Sequence, residues 1–573
     1  MKHGTTLVIA IGFLMVLSQP PLHAQWTTDP SQNAPVSIGN PYAQEPVIVS
    51  DGHGGAFIAW DDLRAGSTDN LVFVQHLNAS GVAQWTTGGV SVSMTGGGQF
   101  DPQILADDSG GVFVIWEDHR DTVNGLSNLL GQRVSSSGQL LWGPTGANFT
   151  NNGLLDLATT LYIKICSDGA GGILATWVQG FAQAVNVARI TSAGTVSWWE
   201  ATAGPINSTM PVISLSVRGG CIVAYEYEDL TTFEFHIGAQ RLDGSGNILW
   251  DSGAVVCNAP ASTAGQNNPA IVPDGAGGAV IGWEDFRNGN IYQAYAQRID
   301  TNGARKWIAA GDSNGIALCH NSQDQEDIVI TTDGTGGAIA TWNDGSQDVY
   351  AQRINGSGAL QWNDTSGLHV TNLPGVESFP TLVSDGSNGA ILAWEDTRHT
   401  GANYDIYAQH VTQSGTMTWT ANGVPVCTAP HEQTLPTGTA DGRGGAIFTW
   451  YDGRAGVTND DDIYAQRVSP SGDLTGVKTN PKALPAVFAL NQNYPNPFNP
   501  TTEIRFTVDR AEHASIIVYD VLGREVTTLF DGQAEPGRSY SLQFDGSKYS
   551  SGIYFYRLTA PSGISEKKML LVK

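Results

Sequence analysis

Apolar and polar positions recur along most of this chain in one order. A turn marker of the form D-G-x-G-G is followed by five or so apolar residues ending in an aromatic residue: DGHGGAFIAW (51–60), DDSGGVFVIW (107–116), DGAGGILATW (168–177), DGAGGAVIGW (274–283), DGTGGAIATW (333–342), DGSNGAILAW (385–394) and DGRGGAIFTW (441–450). A degenerate copy, SVRGGCIVAY (216–225), fills the one gap. From Trp60 to Trp450 the period is about 56 residues, which is the signature of a repeat architecture.

Within a copy the pattern predicts four strands and no helix. In the copy around 379–427 these are FPTLVSD, GAILAW, DIYAQHV and MTWTANGVPVCT. Glycine-rich turns join the first to the second and the third to the fourth, because glycine tolerates positive φ. The middle strands are apolar on both faces, as expected of sheets stacked face to face. Four strands per repeat, set radially, predict an all-β fold, an eight-bladed β-propeller, with seven blades as the alternative if the degenerate copy is misread. The last copy ends at SPSGDL (469–474) without its fourth, Trp-bearing segment, and QWTTDPSQNAPVSI (25–38) resembles that missing piece. The N-terminal strand is therefore expected to complete the last blade and remove the open sheet edge.

The loop after the second strand repeats W-x-D-x-R, giving the pairs Asp62/Arg64, Asp118/Arg120, Asp285/Arg287, Asp396/Arg398 and Asp452/Arg454. A catalytic site needs one constellation and not five, so these pairs read as loop-holding ion pairs, with each arginine bridging to its aspartate or to a neighbouring blade. Candidate binding residues lie instead where one repeat joins the next, at the expected rim of a central channel: Gln44, Glu45, Gln99, Asp101, Gln266, Asn268, Gln325, Glu326, Glu377 and Gln433. A ring of amides and carboxylates is suited to a sugar or a cation.

Composition narrows the function. With 54 acidic against 28 basic residues the net charge is −26, which repels nucleic-acid backbones. The five cysteines are an odd number without metal-ligand spacing; Cys257, Cys319 and Cys427 occupy a place that holds Ser37, Ser93 and Thr371 in other copies, so they read as small packing residues. No cofactor motif is present; the acidic run containing Asp460, Asp461 and Asp462 is the one calcium candidate, although it lacks EF-hand spacing. GDSNG (311–315) matches a nucleophile-elbow pattern but falls in an all-β repeat without the strand-to-helix context. At the N-terminus Lys2 and His3, the apolar run 7–18 and Ala24 predict a cleaved secretory signal over 1–24, and no other segment is long enough to span a bilayer as a helix.

The repeat region is assigned to 25–474 and a Pro-containing linker to 475–488. Residues 489–573 alternate in strand fashion between turn signals, which predicts a small Ig-like β-sandwich of about seven strands. The motifs NYPNPFNP, VYDVLGREV, SGIYFYRL and KKMLLVK closely resemble the type A C-terminal sorting domain of the bacterial type IX secretion system. That resemblance implies export across the outer membrane of a Bacteroidetes-like bacterium, then release or attachment at the cell surface. It assigns recognition by the secretion machinery to Tyr494, Pro495, Asn496, Pro497, Asp520, Gly523, Gly552, Tyr554, Lys567, Lys568 and Lys573. The expected protein is secreted or surface-displayed, a non-catalytic binding module for an extracellular polysaccharide or protein. A carbohydrate-active hydrolase or lyase and a structural envelope protein are the alternatives.

Overall fold

The computed structural model describes residues 26–573 except 41, 65–68, 122–125, 151–161, 180–183, 201–202, 206, 252, 260–264, 290, 309–312, 364–365, 399–402, 457–461, 476–487, 491, 494–495, 509, 511 and 535–539. The signal segment and nearly all of the linker thus lie outside the described residues. The chain divides into two compact units, 1–477 and 478–573.

Among the described residues the first unit contains eight four-stranded antiparallel sheets. Seven are built from consecutive strands, and we number them by residue: 44–91, 99–148, 164–200, 208–257, 266–317, 325–369 and 377–427. Sheet 8 joins Gln433–Ala440, Ala446–Asp452 and Asp462–Val468 to Ala34–Ser37, which pairs with the third of these, Ala34 opposite Ala465. The degenerate copy is a full sheet, and the fourth strands are short, two to five residues.

The D-G-x-G-G turn is explained by its contacts. Asp51 accepts the N–H groups of His53 and Gly55 at 2.7 and 2.9 Å, while Gly52 and Gly54 take φ of 73° and 94°. A Cβ on the last glycine would come within 2.0–2.5 Å of a third-strand carbonyl in all eight sheets. This accounts for Gly220 in the degenerate copy, where Asp is replaced by Ser216 and the first Gly by Val217, and where Arg218 at the middle position takes the left-handed conformation. The turn aspartate is then held by a basic residue of the third strand: His76, Arg133, Arg189, Arg298, Arg353, His410 or Arg467.

The second strands are enclosed on both faces; Ala56–Asp62, Ala279–Asp285 and Ala390–Asp396 are buried throughout. Their apolar side chains form cores between successive sheets, not within one sheet. One such core joins Ile222 and Ile237 of sheet 4 to Ile281 and Trp283 of sheet 5. Another joins Trp26, Ala34 and Ile463 to Ala56, Ile58 and Trp60, and so links sheet 8 to sheet 1.

One hydrogen bond repeats at every one of these junctions. The fourth-segment tryptophan donates its indole N–H to a turn carbonyl of the next sheet: Trp85 to Ser136, Trp142 to Ser192, Trp198 to Gly244, Trp250 to Thr301, Trp307 to Gly356, Trp362 to Gln413 and Trp419 to Pro470, all at 3.0–3.2 Å. Trp26 makes the eighth, to Ala79 of sheet 1 at 3.1 Å.

Among the described residues the second unit has seven strands in a three-stranded and a four-stranded antiparallel sheet. Ile504, Phe506 and Phe544 of the first share a core with Ile516, Val518, Tyr556 and Met569 of the second.

Replacing Trp26 by Phe removes the donor and part of the buried indole. The loss is expected to be about 2 kcal/mol, one hydrogen bond plus the packing of the lost ring, and similar to that of Trp85→Phe. Calorimetric melting of both variants checks this; a silent Trp26→Phe beside a destabilised Trp85→Phe would detach residue 26 from the fold.

Candidate binding site

The W-x-D-x-R segments form repeated clamps. In each the indole N–H of the tryptophan donates to the aspartate two residues on, as from Trp60 to Asp62 at 2.8 Å and from Trp283 to Asp285 at 2.8 Å. The arginine then grips the fully buried carboxylate in all five pairs, Asp62/Arg64, Asp118/Arg120, Asp285/Arg287, Asp396/Arg398 and Asp452/Arg454. Its guanidinium lies over Phe73, Tyr295, Tyr407 or Tyr464 in four of them, 3.3–4.0 Å from the ring centre.

At the start of the loop the aspartate accepts a backbone N–H as expected in four copies, Asp118, Asp285, Asp396 and Asp452 each taking that of the arginine two residues on at 2.9–3.1 Å, but the arginine side chains reach elsewhere. The loops after Arg64 and Arg398, residues 65–68 and 399–402, lie outside the described residues. Arg64 instead donates to the Gly88 carbonyl, and Arg398 to the Asn422 carbonyl at 2.7 Å. Both acceptors belong to the fourth segment of the arginine's own sheet. Arg120, Arg287 and Arg454 reach the equivalent carbonyls of Thr145, Asn314 and Ser31. The clamp therefore ties the end of the second strand to the fourth segment, across the third-strand aromatic ring on which the guanidinium rests. The physical reason is that a guanidinium carries five donors, more than one carboxylate can accept.

Bridging to the neighbouring sheet is seen for three of the five. Arg120, Arg287 and Arg454 reach Ser93, Cys257 and Cys427 of the preceding sheet at 3.2–3.4 Å. Arg64 and Arg398 make no such bond among the described residues, and their grip stays within one sheet. The Cys/Ser position is therefore a small polar slot at a junction. Burial pushes the Cys257 thiol up to about 12, away from reactivity. All five cysteines are free.

The residues expected at the rim separate into two groups. Gln99, Gln266, Gln325, Glu377 and Gln433 are fully buried, so they do not face a ligand. Gln99 and Gln325 accept the N–H of Val72 and Ala294, third-strand residues of the preceding sheet, at 3.0 and 2.9 Å. Gln266 meets His236 at 3.0 Å, and Gln433 donates to Pro430 and His431 carbonyls. Gln44 sits one register position later and donates to Asp61 at 3.1 Å. Glu326 is exposed at the edge of sheet 6.

The second group is a set that sequence inspection found only in part. Two residues after the buried position, every first strand or its approach carries one residue in the left-handed region: Glu45, Asp101, Tyr162, Met210, Asn268, Asp327, Phe379 and Leu435, with φ between 47° and 56°. For side chains of this size that conformation costs about 1 kcal/mol or more each. Six of the eight are followed by proline, a signal present in the sequence. A β-bulge accompanies them, as between Phe100 and Gln103. The backbone N–H so exposed is taken by a second-strand side chain of the preceding sheet: Asp327 by Glu284 at 2.9 Å, Leu435 by Glu395 at 2.6 Å, and Glu45 by the Tyr451 hydroxyl. In sheet 1 the equivalent residue is Asp61, one methylene shorter, and it is occupied by Gln44 and Asn70. The Asp101 N–H turns instead to the Glu45 carboxylate, at 3.1 Å. Two carboxyl groups 56 residues apart thereby meet. Burial and then the Asp101 carboxyl raise Glu45 to about 8, and burial raises Asp61 to about 7.

Beside these residues lies a cavity of about 450 Å³, lined from sheets 2 to 6 by Asp101, Gln103, Tyr162, Lys164, Met210, Asn268 and apolar neighbours. A smaller one of about 180 Å³ lies between Glu45, Asp101, Leu435 and Tyr451. Tyr162, Phe379 and Leu435 are 38%, 45% and 45% exposed, unusual for side chains of their kind on costly backbone.

Of the calcium candidates, Asp460 and Asp461 lie outside the described residues, and Asp462 accepts the Gly39 N–H at 2.7 Å. Among the described residues no group of three or more His, Cys, Asp or Glu is placed to hold a metal. In GDSNG, Gly311 and Asp312 lie outside the described residues, and the Ser313 carbonyl accepts from Gln297 at 2.8 Å. In the second unit Asp520 and Gly523 form a tight turn, Asp520 accepting the N–H groups of Leu522 and Arg524. Asn496 accepts the Leu570 N–H at 2.9 Å and so lies on the final strand with Lys567 and Lys568. Gly552 pairs with Leu571, Tyr554 donates to the Ser550 carbonyl, and Lys573 to that of Ser547. Tyr494 and Pro495 lie outside the described residues, and Pro497 follows Asn496 in a cis peptide.

Glu377 generates a test. It occupies a position held by glutamine in four sheets, yet the Val349 N–H it would accept is taken by Thr371, and its carboxyl oxygens, near the Thr371 hydroxyl and the Asp348 carboxyl, make no well-aligned hydrogen bond among the described residues. Burial, then Asp396, raises it to about 8. Because the folded form keeps a proton that the unfolded chain releases near pH 4.5, stability falls as pH rises from about 4.5 through 8. Glu377→Gln is expected to melt higher than the parent at pH 8, with the gap closing toward pH 5. Melting curves across that range decide it, and a gap independent of pH would contradict it.

No curated protein matches the chain. Among solved structures it is similar to the β-propeller domain of the Trilobed protease from Pyrococcus furiosus, at 10% identity over 64% of this chain and 95% of that one, TM-score 0.37. It is similar to the polysaccharide lyase Uly1, at 8% identity over 70% and 94%, TM-score 0.36, and to a thermostable family-43 glycoside hydrolase, at 10% identity over 56% and 94%, TM-score 0.28. No helix among the described residues is long and apolar enough to cross a membrane. Residues 492–573 match the model of the secretion system C-terminal sorting domain, and with this tail the chain is marked for export to the cell surface or beyond.

Proposed function

We propose that the eight sheets are the blades of one propeller, closed by residues 26–37, and that the exported protein binds an extracellular polysaccharide at one mouth of its channel. The support for closure is the set of eight indole bonds, in which Trp26 plays the part of the other seven. The observation that carries the binding reading is a contrast within the repeat. The polar residues that hold sheets together recur from copy to copy. The left-handed positions differ in nearly every copy, and several gather at the 450 Å³ cavity. Backbone held fixed at a cost, with a different side chain on each copy, is a way of presenting a specific surface. Tyr162 offers a face for a sugar ring, and Asp101, Gln103 and Asn268 offer hydrogen bonds to hydroxyls.

A second reading is favoured by one contact. The Glu45 carboxyl, raised to about 8 by burial and by the Asp101 carboxyl, lies against Asp101, and a carboxyl that holds its proton beside a second one is a pairing that acid–base catalysis uses.

Passing the purified mature chain over a panel of immobilised polysaccharides separates the two. Retention without release of reducing ends or unsaturated products is expected, unchanged by a chelator. Product release would instead establish the enzyme, and absence of both would favour a structural role. Export is tested separately: removal of 489–573 is expected to leave the protein in the periplasm of a type IX-competent host, and continued surface display would contradict the assignment.

A further inference from the structure

Resting on the reading of the cavity as a sugar site, we propose that it selects an acidic sugar, a pyranose carrying a carboxylate, through Lys164. Two residues beyond each left-handed position stand Val47, Gln103, Lys164, Val212, Ala270, Val329, Thr381 and Thr437. One of the eight is charged. It belongs to sheet 3, which lacks the W-x-D-x-R clamp, having Val178 and Gln179 after Trp177.

Lys164 lines the 450 Å³ cavity, whose other lining residues include no second cation. It makes no ion pair among the described residues, whereas the clamp arginines and Arg133, Arg189, Arg298, Arg353 and Arg467 are committed to aspartates and Arg241 bonds Ser216 and the Thr301 carbonyl. Asp101 is its charged neighbour in the cavity, beyond ion-pair distance. Lys164 is exposed at the cavity, so its ammonium is open to a ligand, although the surrounding protein still lowers it from the usual lysine range. A ligand carboxylate supplies it with a partner.

The remaining lining fits the rest of such a sugar. Tyr162 is 38% exposed and stands two residues from Lys164, the amides of Gln103 and Asn268 donate and accept, and Met210 adds an apolar wall. The cavity volume is within the range of small-ligand sites. The chain's charge of −26 opposes an anion at long range, so the preference must arise from this short contact and not from steering.

The test uses the full mature chain with uronic-acid polymers (polygalacturonate, alginate, hyaluronan), each paired with its carboxyl-reduced neutral form. Binding is measured by calorimetry at neutral pH. At least one acidic polymer is expected to bind about tenfold or more tighter than its reduced partner, the worth of one charge-assisted hydrogen bond. Lys164→Met should abolish that difference while leaving the weaker neutral binding, and Lys164→Arg should restore it. Melting temperatures matching the parent exclude misfolding of the variants. Equal binding of acidic and reduced forms, or a preference that survives Lys164→Met, overturns the inference and leaves the sugar site standing. Failure of every polymer, neutral ones included, overturns both.

Discussion

A four-stranded sheet that is apolar on both faces cannot stand alone in water, and that constraint governs the first unit. Each sheet here is stable because its faces are covered by its neighbours. The indole N–H of each fourth-segment tryptophan registers one sheet on the next, so that the apolar faces meet at a fixed offset. Its energy is modest beside the buried area, but its direction is specific. Three of these junctions also carry arginine clamps, in which a fully buried aspartate would be costly without its guanidinium and indole donors. A chain of such sheets leaves two exposed faces unless its ends meet. Trp26, Ala34 and Val36 lie in one core with Ile463, Ala56 and Trp60, which is how residues at the start of the chain come to serve its last sheet.

This division of labour leaves available the side chains for which the architecture has no further use. Tryptophan, aspartate, arginine and the buried glutamine are consumed by the junctions. The left-handed residue is anchored through its backbone N–H, so its side chain is released. A shorter acid in one sheet, Asp61 in place of glutamate, redirects that anchoring and brings Glu45 onto Asp101. Single-residue departures from a repeat thus create local chemistry without disturbing the sheets.

Much of the architecture was legible because it is periodic. The four strands per copy, the glycine turns, the structural role of the Asp–Arg pairs and the pairing partner of residues 34–37 all follow from comparing copies with one another. What the arginines hold was not legible: Arg64 and Arg398 reach back to Gly88 and Asn422, each 24 residues along the chain, and no local spacing announces a fourth-segment carbonyl. The buried glutamines misled, because an amide beside an acid at a repeat junction reads as a solvent-facing rim. Gln99 and Gln325 accept backbone N–H groups of a neighbouring sheet, which one-dimensional spacing does not reveal. The left-handed positions were half visible. Glu45, Asp101 and Asn268 drew attention as polar residues, but Tyr162, Met210, Phe379 and Leu435 read as ordinary strand residues. The proline after most of them was the available signal. Lys164 carried no motif; it stands out only once the eight first strands are in register.

The central claim is that residues 26–37 are an integral part of the last sheet and close the circuit. Hydrogen exchange of the indole N–H groups, followed by NMR on the protein labelled with ¹⁵N-tryptophan, tests it most directly. The account predicts that Trp26 exchanges on the same slow scale as Trp85, Trp142, Trp250, Trp307, Trp362 and Trp419. Fast exchange at Trp26 alone, with the others protected, would contradict it and leave the last sheet three-stranded and the circuit open.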